Sequence, residues 1–404
     1  MHWFPLFALG LSALIASGEA WGHISAEELQ STIQNDVAVV AFVVPGDERT
    51  KYLEPEWYQA AAEAQVHIAS IDCAASPNAC ASHGVSSTTT AKLYKNEEPT
   101  STYHGSRRAS AILAWINRVQ RPPVTEITAN SLAAFKAADE TVFIAYLSTD
   151  GESESASKTA FVQTAAKYAE EFTFGLLATD AAALEAEGVK APPLVRCYRP
   201  LDGDTHDLDG FEDTAALEKF VVEASRPVIG ELLPHNHQRF LDRGWPIVYV
   251  FARTAAERAA LRTSLAALAR SHYGSLTIVT ADPLDFPSLL SELGLAGEAE
   301  RETSLSFPAG AVHQLSTGRI YRYPRGRGIT ARELQGWGFD VWQGRVRPWT
   351  PPGVLTPPPE GGDEDRRGGG IAGLGKVGGR IGATRNVRVN IPGVNIRVGG
   401  RDEL

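Results

Sequence analysis

The three cysteines are the residues of this chain best suited to covalent chemistry. Cys73 and Cys80 stand in "DCAASPNAC", after the strand-like run "VHIASI", and Cys197 stands in "PPLVRCYRP". A bridge between the first two would close a short loop and add roughly 2 to 3 kcal/mol, on the view that it restricts the unfolded chain. Their spacing is not the C-x-x-C of a redox centre, and they do not open a helix that follows the strand "AVVAFVV", the setting that stabilises a thiolate. The expectation for Cys73 and Cys80 is therefore a structural bridge. Cys197, in apolar company, reads as a buried free thiol. Three cysteines in two distant places cannot build a four-ligand zinc site. The histidine cluster "HNH", His235 to His237, has no cysteine or carboxylate beside it, so no metal is expected. No G-x-S-x-G, H-E-x-x-H or P-loop pattern occurs, and "GGGIAGLG" has no strand before it. No cofactor is expected.

The elements that position these residues follow from periodicity. With 404 residues, 43% hydrophobic and 21% charged, the chain has room for two to four domains. In residues 21–121, "VAVVAFVV" is a continuous apolar run suited to a central strand, "LEPEWYQAAAEA" a helix, and "VHIASID" and "TAKLYKN" strands. "SRRASAILAWINRVQ" is an amphipathic helix with Ile112, Trp115, Ile116 and Val119 on one face. "RPPV" breaks the chain and a similar pattern restarts over 122–226, with strands "TVFIAYLST", "FTFGLLA" and "PPLVRCY" and helices "SKTAFVQTAAKYAEE" and "DTAALEKFVVEAS". A third pass runs over 227–348. Strands alternating with helices imply layered α/β units, three in tandem.

The ends and the charge point to a compartment. "FPLFALGLSALIA" is too short for a membrane span and suits a secretory signal over residues 1–20, although the stretch before it carries His2 and no Lys or Arg, and a buried helix is the alternative. No second apolar run of spanning length follows, so no membrane insertion is expected. The last four residues, Arg401, Asp402, Glu403 and Leu404, are a close variant of the tetrapeptide read by the endoplasmic reticulum retrieval receptor. A soluble protein of the endoplasmic reticulum lumen is the expectation. The net charge of −10 argues against nucleic acid as a partner. From residue 363 onward eight Lys/Arg outnumber five acids, which leaves that tail at +3 and the rest at −13. Residues 349–404, rich in Gly and Arg, are expected to be a disordered tether.

The first unit resembles the thioredoxin-type domain of the protein disulfide isomerase family. Without a gap, "VPGDERTKYLEPEW" falls on that family's A-P-W-C-G-H-C-K-x-L-x-P-E-[YW], matching at Pro45, Lys51, Leu53, Pro55, Glu56 and Trp57. "HGVSSTTTAKLYKN" resembles G-V-x-G-Y-P-T-x-K-x-[FY]-K-N, and "YHGSRRASAILAWI" resembles Y-x-G-x-R-x-x-x-x-I-x-x-W with its arginine at Arg107. "VKAPPLVRCY", "ASRPVIGEL", "GWPIVYVF" and "FPAGAVH" resemble landmarks of the family's two non-catalytic domains. The resemblance implies three tandem thioredoxin-like domains, each a mixed sheet flanked by helices, in an a-b-b′ order with no second catalytic domain. It also places the Cys73 and Cys80 pair where some members carry a structural disulfide.

The same comparison shows what is missing. The two redox cysteines become Asp47 and Thr50, the cis-proline becomes Thr89, and the buried proton-relay glutamate becomes Ala41. Thiol–disulfide exchange needs an attacking thiolate and a second thiol to resolve the mixed disulfide, and neither Asp nor Thr supplies one. Asp47 is expected as a carboxylate stabilised at a helix N-terminus, and Thr50 as a residue that caps or packs that helix. A cis bond before a non-proline costs about 3 to 4 kcal/mol, so a trans, re-laid loop is expected over Ser87–Thr88–Thr89.

What remains is a binding reading: a redox-inactive chaperone for unfolded or partly folded secretory proteins. By resemblance the second non-catalytic domain supplies an apolar cleft, for which Phe240, Trp245, Phe251 and Phe307 are the candidates. Two other readings stay open. One is residual thiol–disulfide activity, or activity in partnership with an intact disulfide isomerase. The other is a structural or retention subunit of a lumenal complex.

Overall fold

The computed structural model describes residues 22–44, 46–86, 88–149, 154–189, 191–296 and 306–350. The amino-terminal apolar run, Pro45, Ser87, the Gly/Arg-rich tail and Arg401 to Leu404 lie outside the described residues.

The first domain runs α1 (Ala26–Ile33), β1 (Val37–Val43), α2 (Arg49–Glu63), β2 (His67–Asp72), α3 (Pro77–Ser82), β3 (Thr90–Lys95), β4 (Glu98–Thr102) and α4 (Ala109–Gln120). The second runs β5 (Thr125–Glu126), α5 (Ala129–Lys136), β6 (Val142–Ser148), α6 (Glu154–Tyr168), β7 (Thr173–Thr179), α7 (Ala181–Ala186), β8 (Leu194–Arg199), β9 (Asp204–Asp209) and α8 (Thr214–Ala224). The third runs β10 (Gly230–Leu232), α9 (His237–Asp242), β11 (Ile247–Phe251), α10 (Ala255–Ser271), β12 (Thr277–Ala281), a 3₁₀ turn (Pro283–Asp285), α11 (Pro287–Glu292), β13 (Ala309–Gln314), β14 (Arg319–Arg322) and α12 (Ala331–Trp342).

One pairing scheme recurs three times. The sheet orders are β2-β1-β3-β4, β5-β7-β6-β8-β9 and β10-β12-β11-β13-β14. In each, an apolar strand (β1, β6 or β11) pairs in parallel with the strand after its helix and antiparallel with the strand after that. These three central strands are buried along almost their whole length, because helices cover both faces of the sheet. Each sheet accordingly has two apolar clusters, for example Val39, Ala41, Leu53, Trp57 and Trp115 in one cluster of the first sheet and Val40, Phe42, Ile71 and Tyr94 in the other. This is the mixed α/β, helix-flanked architecture expected from the alternation of strands and helices.

The structure adds elements the periodicity did not announce. The edge strands β4, β9 and β14 are polar or mixed, and α3, α7, α9 and α11 are single short turns of helix. Among the described residues no helix is long and apolar enough to cross a membrane.

Candidate functional site

The turn between β1 and α2 carries the residues at the redox positions, and they bond to one another. The Asp47 N–H donates to the Val44 carbonyl at 3.3 Å, and the Thr50 N–H donates to the Asp47 carbonyl at 3.0 Å, which sets the turn. Asp47 Oδ1 then accepts the Arg49 N–H at 3.1 Å, one of the free amides at the start of α2. Its Oδ2 accepts the Thr89 N–H at 2.9 Å. The Thr89 hydroxyl lies 2.9 Å from the Thr50 hydroxyl and accepts the Val44 N–H at 3.0 Å. Thr50 thus ties the helix to the loop before β3 and does not cap it. The bond before Thr89 is not among the cis bonds of the described residues, which are Pro192–Pro193 and Phe307–Pro308.

This closed set of bonds explains why the substitutions belong together. Proline has no N–H, so only a non-proline residue at 89 can donate to Asp47. Ala41, at the relay position, is fully buried on β1 in one apolar cluster with Trp57, Leu93 and Ile112, and its methyl group cannot carry a proton. The matched Glu56 has a separate task. Its Oε2 accepts the Ala109 N–H at 2.8 Å, satisfying the first amide of α4, which has no side-chain cap of its own.

The same face is held by the third domain. Arg107 donates to both carboxylate oxygens of Asp285 at 3.0 Å each and pairs with Asp282 at 2.7 Å. Arg49, beside the redox positions, pairs with Asp47 at 3.7 Å and with Asp285 at 3.4 Å, and donates to the Leu284 carbonyl. Asp282 caps the 3₁₀ turn by accepting the Leu284 N–H and also pairs with Arg258 at 3.1 Å. Burial alone would lower the Arg107 pKa, and the Asp282 and Asp285 charges reverse that and raise it. Nearby, Ser106 and Arg108 bond Glu231 of β10 at 2.6 and 3.2 Å, and Arg258 pairs with it at 3.3 Å. Burial would raise the Glu231 carboxyl, but Arg108, Arg258 and Ser106 hold it below its ordinary value. The retained arginine therefore faces another domain's acids, a pairing across 178 residues that no local pattern encodes.

The thiols are unavailable. Cys73 and Cys80 are joined as a disulfide with Cα atoms 5.6 Å apart. Cys197 is buried, and burial pushes its thiol up to about 12. Of the aromatic candidates, Phe251 is fully buried on β11 and belongs to the core, which corrects its placement in a cleft. Phe240 is nearly so, packed so closely on Gly230 that a Cβ there would sit 2.6 Å from its ring. Phe307 is half-buried against the same cluster beneath Arg253. Trp245 stands apart, with the Arg243 and Arg226 guanidinium carbons 4.0 and 5.3 Å from its ring centre. The four do not form one surface. What the structure does offer is a cavity of about 500 Å³ where the three domains meet, lined in part by Arg108, Glu231, Phe240, Arg226 and Arg243. Among the described residues no group of His, Cys, Asp and Glu could hold a metal ion.

Comparison with known proteins accords with this geometry. A thioredoxin family pattern matches residues 21–118, and a thioredoxin-like domain pattern matches residues 151–337. A protein disulfide-isomerase of Humicola insolens is 30% identical over 354 residues, covering 86% of this chain and 68% of that protein. The chain belongs to the protein disulfide-isomerase family. A second member, the protein disulfide-isomerase of Aspergillus niger, is 27% identical over 348 residues, covering 84% of this chain and 65% of its own length. The chain thus spans about two thirds of these relatives. A crystal structure of human ERp44 aligns over 81% of this chain and 89% of its own at 17% identity, with a TM-score of 0.37.

Proposed function

We propose that this isomerase-family protein binds unfolded or partly folded secretory proteins in the endoplasmic reticulum lumen without exchanging disulfides with them. The observation that carries the reading is the closed bonding of Asp47, Thr50 and Thr89 at the positions where the family's thiols and cis-proline stand. A carboxylate and a hydroxyl bonded to each other through Thr89 cannot attack a disulfide, and the remaining cysteines are bridged or buried. A disulfide among the three cysteines accords with an oxidising compartment. The binding surface, on this reading, is the cavity between the three domains.

Two assays on the purified protein test the proposal. Insulin reduction should stay at background, while aggregation of an unfolded, cysteine-free client should fall in proportion to the protein added. Disulfide turnover would assign chemistry to Cys73, Cys80 or Cys197 and overturn it. Unchanged aggregation would remove the binding role and favour a subunit of a lumenal complex.

A further inference from the structure

The last helix of the third domain shows water a face that is both aromatic and basic. Leu334, Trp337 and Val341 turn the other side of α12 into the core. On the outer side Phe339 is 53% exposed and Trp342 78% exposed, and their rings stack with centres 5.7 Å apart. Arg332 precedes Phe339 by two helical turns and so lies on the same line of the helix. Between residues 319 and 347 seven arginines stand against two acids, Glu333 and Asp340. All seven are exposed. Arg327 pairs with Glu333 at the start of α12, and Arg345 pairs with Asp340 near its end. Those pairs engage both acids of the segment, and Arg319, Arg332 and Arg347 have no carboxylate partner among the described residues.

This charge runs against the rest of the chain, whose net is −10. Exposed arginines around an exposed aromatic pair draw an anionic partner and give it apolar surface to cover. The tail of the chain is a poor cover, because from residue 363 it is basic too, at +3. A peptide partner is seated in a groove or along a sheet edge, whereas Phe339 and Trp342 project from the convex outer line of a helix. A yielding surface suits that shape. Tryptophan rings settle at the headgroup level of a bilayer, and basic side chains around them are held by anionic lipids. The tail supplies a second weak signal of the same kind. Around Pro392 and Gly393, "VRVNIPGVNIRV" alternates Val and Ile with Asn and Arg, and attachment to a bilayer becomes firm when two weak signals combine.

We propose that the outer face of α12 docks the protein on a bilayer surface that carries anionic headgroups. Phe339 and Trp342 are the apolar anchor, and Arg332, Arg345 and Arg347 hold the headgroups around it. The attachment is peripheral and reversible. No residue of α12 lines the central cavity, so docking leaves that cavity open and does not rest on the client-binding reading above.

The test is flotation of the full chain with phosphatidylcholine vesicles, beside vesicles in which about a third of the lipid is phosphatidylserine. Binding should require phosphatidylserine and should fall as salt is raised. Trp342→Ser should weaken it about tenfold, the scale of one apolar side chain kept out of the bilayer. Arg345→Gln with Arg347→Gln should weaken it about twentyfold, about fivefold for each charge lost. Val162→Ser, at an exposed apolar residue of the second domain, should float as the parent does. All these side chains are exposed, so each variant should melt with the parent. Absence of flotation, equal flotation with both lipids, or flotation unchanged in the Trp342 and arginine variants would overturn the proposal. So would a glutamate-rich peptide that binds through Trp342 when no vesicle does, which would give the face to an acidic protein. A salt-sensitive dimer in sedimentation velocity, lost in Trp342→Ser and without flotation, would give it to a second copy of the chain.

Discussion

The carboxylate of Asp47 accepts the backbone N–H of Thr89 at 2.9 Å, so the residue at the first redox position is bonded to the residue at the cis-proline position. Neither substitution makes sense alone: the carboxylate needs a donor, and a proline would withhold it. Asp47 also accepts the Arg49 N–H. Its side chain is only 9% exposed, so both bonds are largely shielded from water.

Asp47→Ala should therefore destabilise the protein by about 2 to 3 kcal/mol, leaving two sheltered amides without an acceptor. Asp47→Asn, which keeps an acceptor, should cost less. Thr89→Pro should cost about as much as Asp47→Ala, and the double variant less than the sum, because both remove one bond. Urea unfolding curves check this. Fully additive losses would mean the two residues are not coupled.

Restoring the thiols should not restore the enzyme. Asp47→Cys with Thr50→Cys leaves Thr89 beside the new thiols, Ala41 in the apolar core, and Arg107 held by Asp282 and Asp285. Insulin reduction should stay far below that of an intact isomerase, and should rise only when Ala41→Glu and Thr89→Pro are added. Full activity in the two-cysteine variant would show that the rest of the site had kept its competence.

Arg107 and Asp285 form the most directly testable link between the first and third domains. Both are largely buried, at 12% and 14% side-chain exposure, and their two parallel bonds make a bidentate pair. Removing Arg107 leaves Asp285 with the longer Arg49 pairing alone and Asp282 with Arg258, so the cost should fall below the about 3 to 5 kcal/mol of a fully stranded buried charge. Arg107→Ala should loosen the first domain from the third, read as a larger radius of gyration in small-angle scattering and a lower melting temperature. Arg107→Ala with Asp285→Ala should be less harmful than the two single effects added. An unchanged scattering profile would show that the domains are held by other contacts.

Parts of this architecture were written locally and parts were not. The central strands were legible because "VAVVAFVV", "TVFIAYLST" and "WPIVYVFAR" are continuous apolar runs, which only a sheet covered on both faces requires. The same rule places Phe251 in the core, since it ends such a run and is fully buried. The edge strand "DTHDLD" carries no apolar period because one of its sides faces water, and six-residue helices are too short to display one. At the site, the loss of redox chemistry was readable from Asp47, Thr50, Thr89 and Ala41. The capture of Arg107 and Arg49 by Asp285 was not, because it depends on how domains far apart in sequence dock.

The Cys73–Cys80 bridge closes eight residues and ties β2 to α3, beneath which Val85 and Phe42 pack. On the loop-entropy view its loss costs about 2 to 3 kcal/mol. Cys73→Ala with Cys80→Ala should lower the unfolding free energy by that amount, read from urea curves, without altering client binding, since neither residue lines the central cavity. Loss of binding in a folded variant would place the bridge in the binding surface.

Acid should weaken the fold before the carboxylates titrate. Burial lowers the pKa of His83, His235, His237 and His313 below the ordinary histidine value of 6.5. These imidazoles gain protons more readily in the unfolded chain, so they contribute stability above about pH 6.5 that is lost as the pH falls through their folded values. For His237 and His313 burial is the largest cause, His313 adds to the lowering of His237, and Glu292 opposes the shift of both. The urea midpoint should therefore fall between pH 7.5 and 5.5. His237→Gln, which keeps a polar group toward the Tyr249 hydroxyl 3.1 Å away, should flatten part of that slope. A midpoint that holds steady down to pH 5.5 would show that the four rings are reached by water and protonate without disturbing the fold.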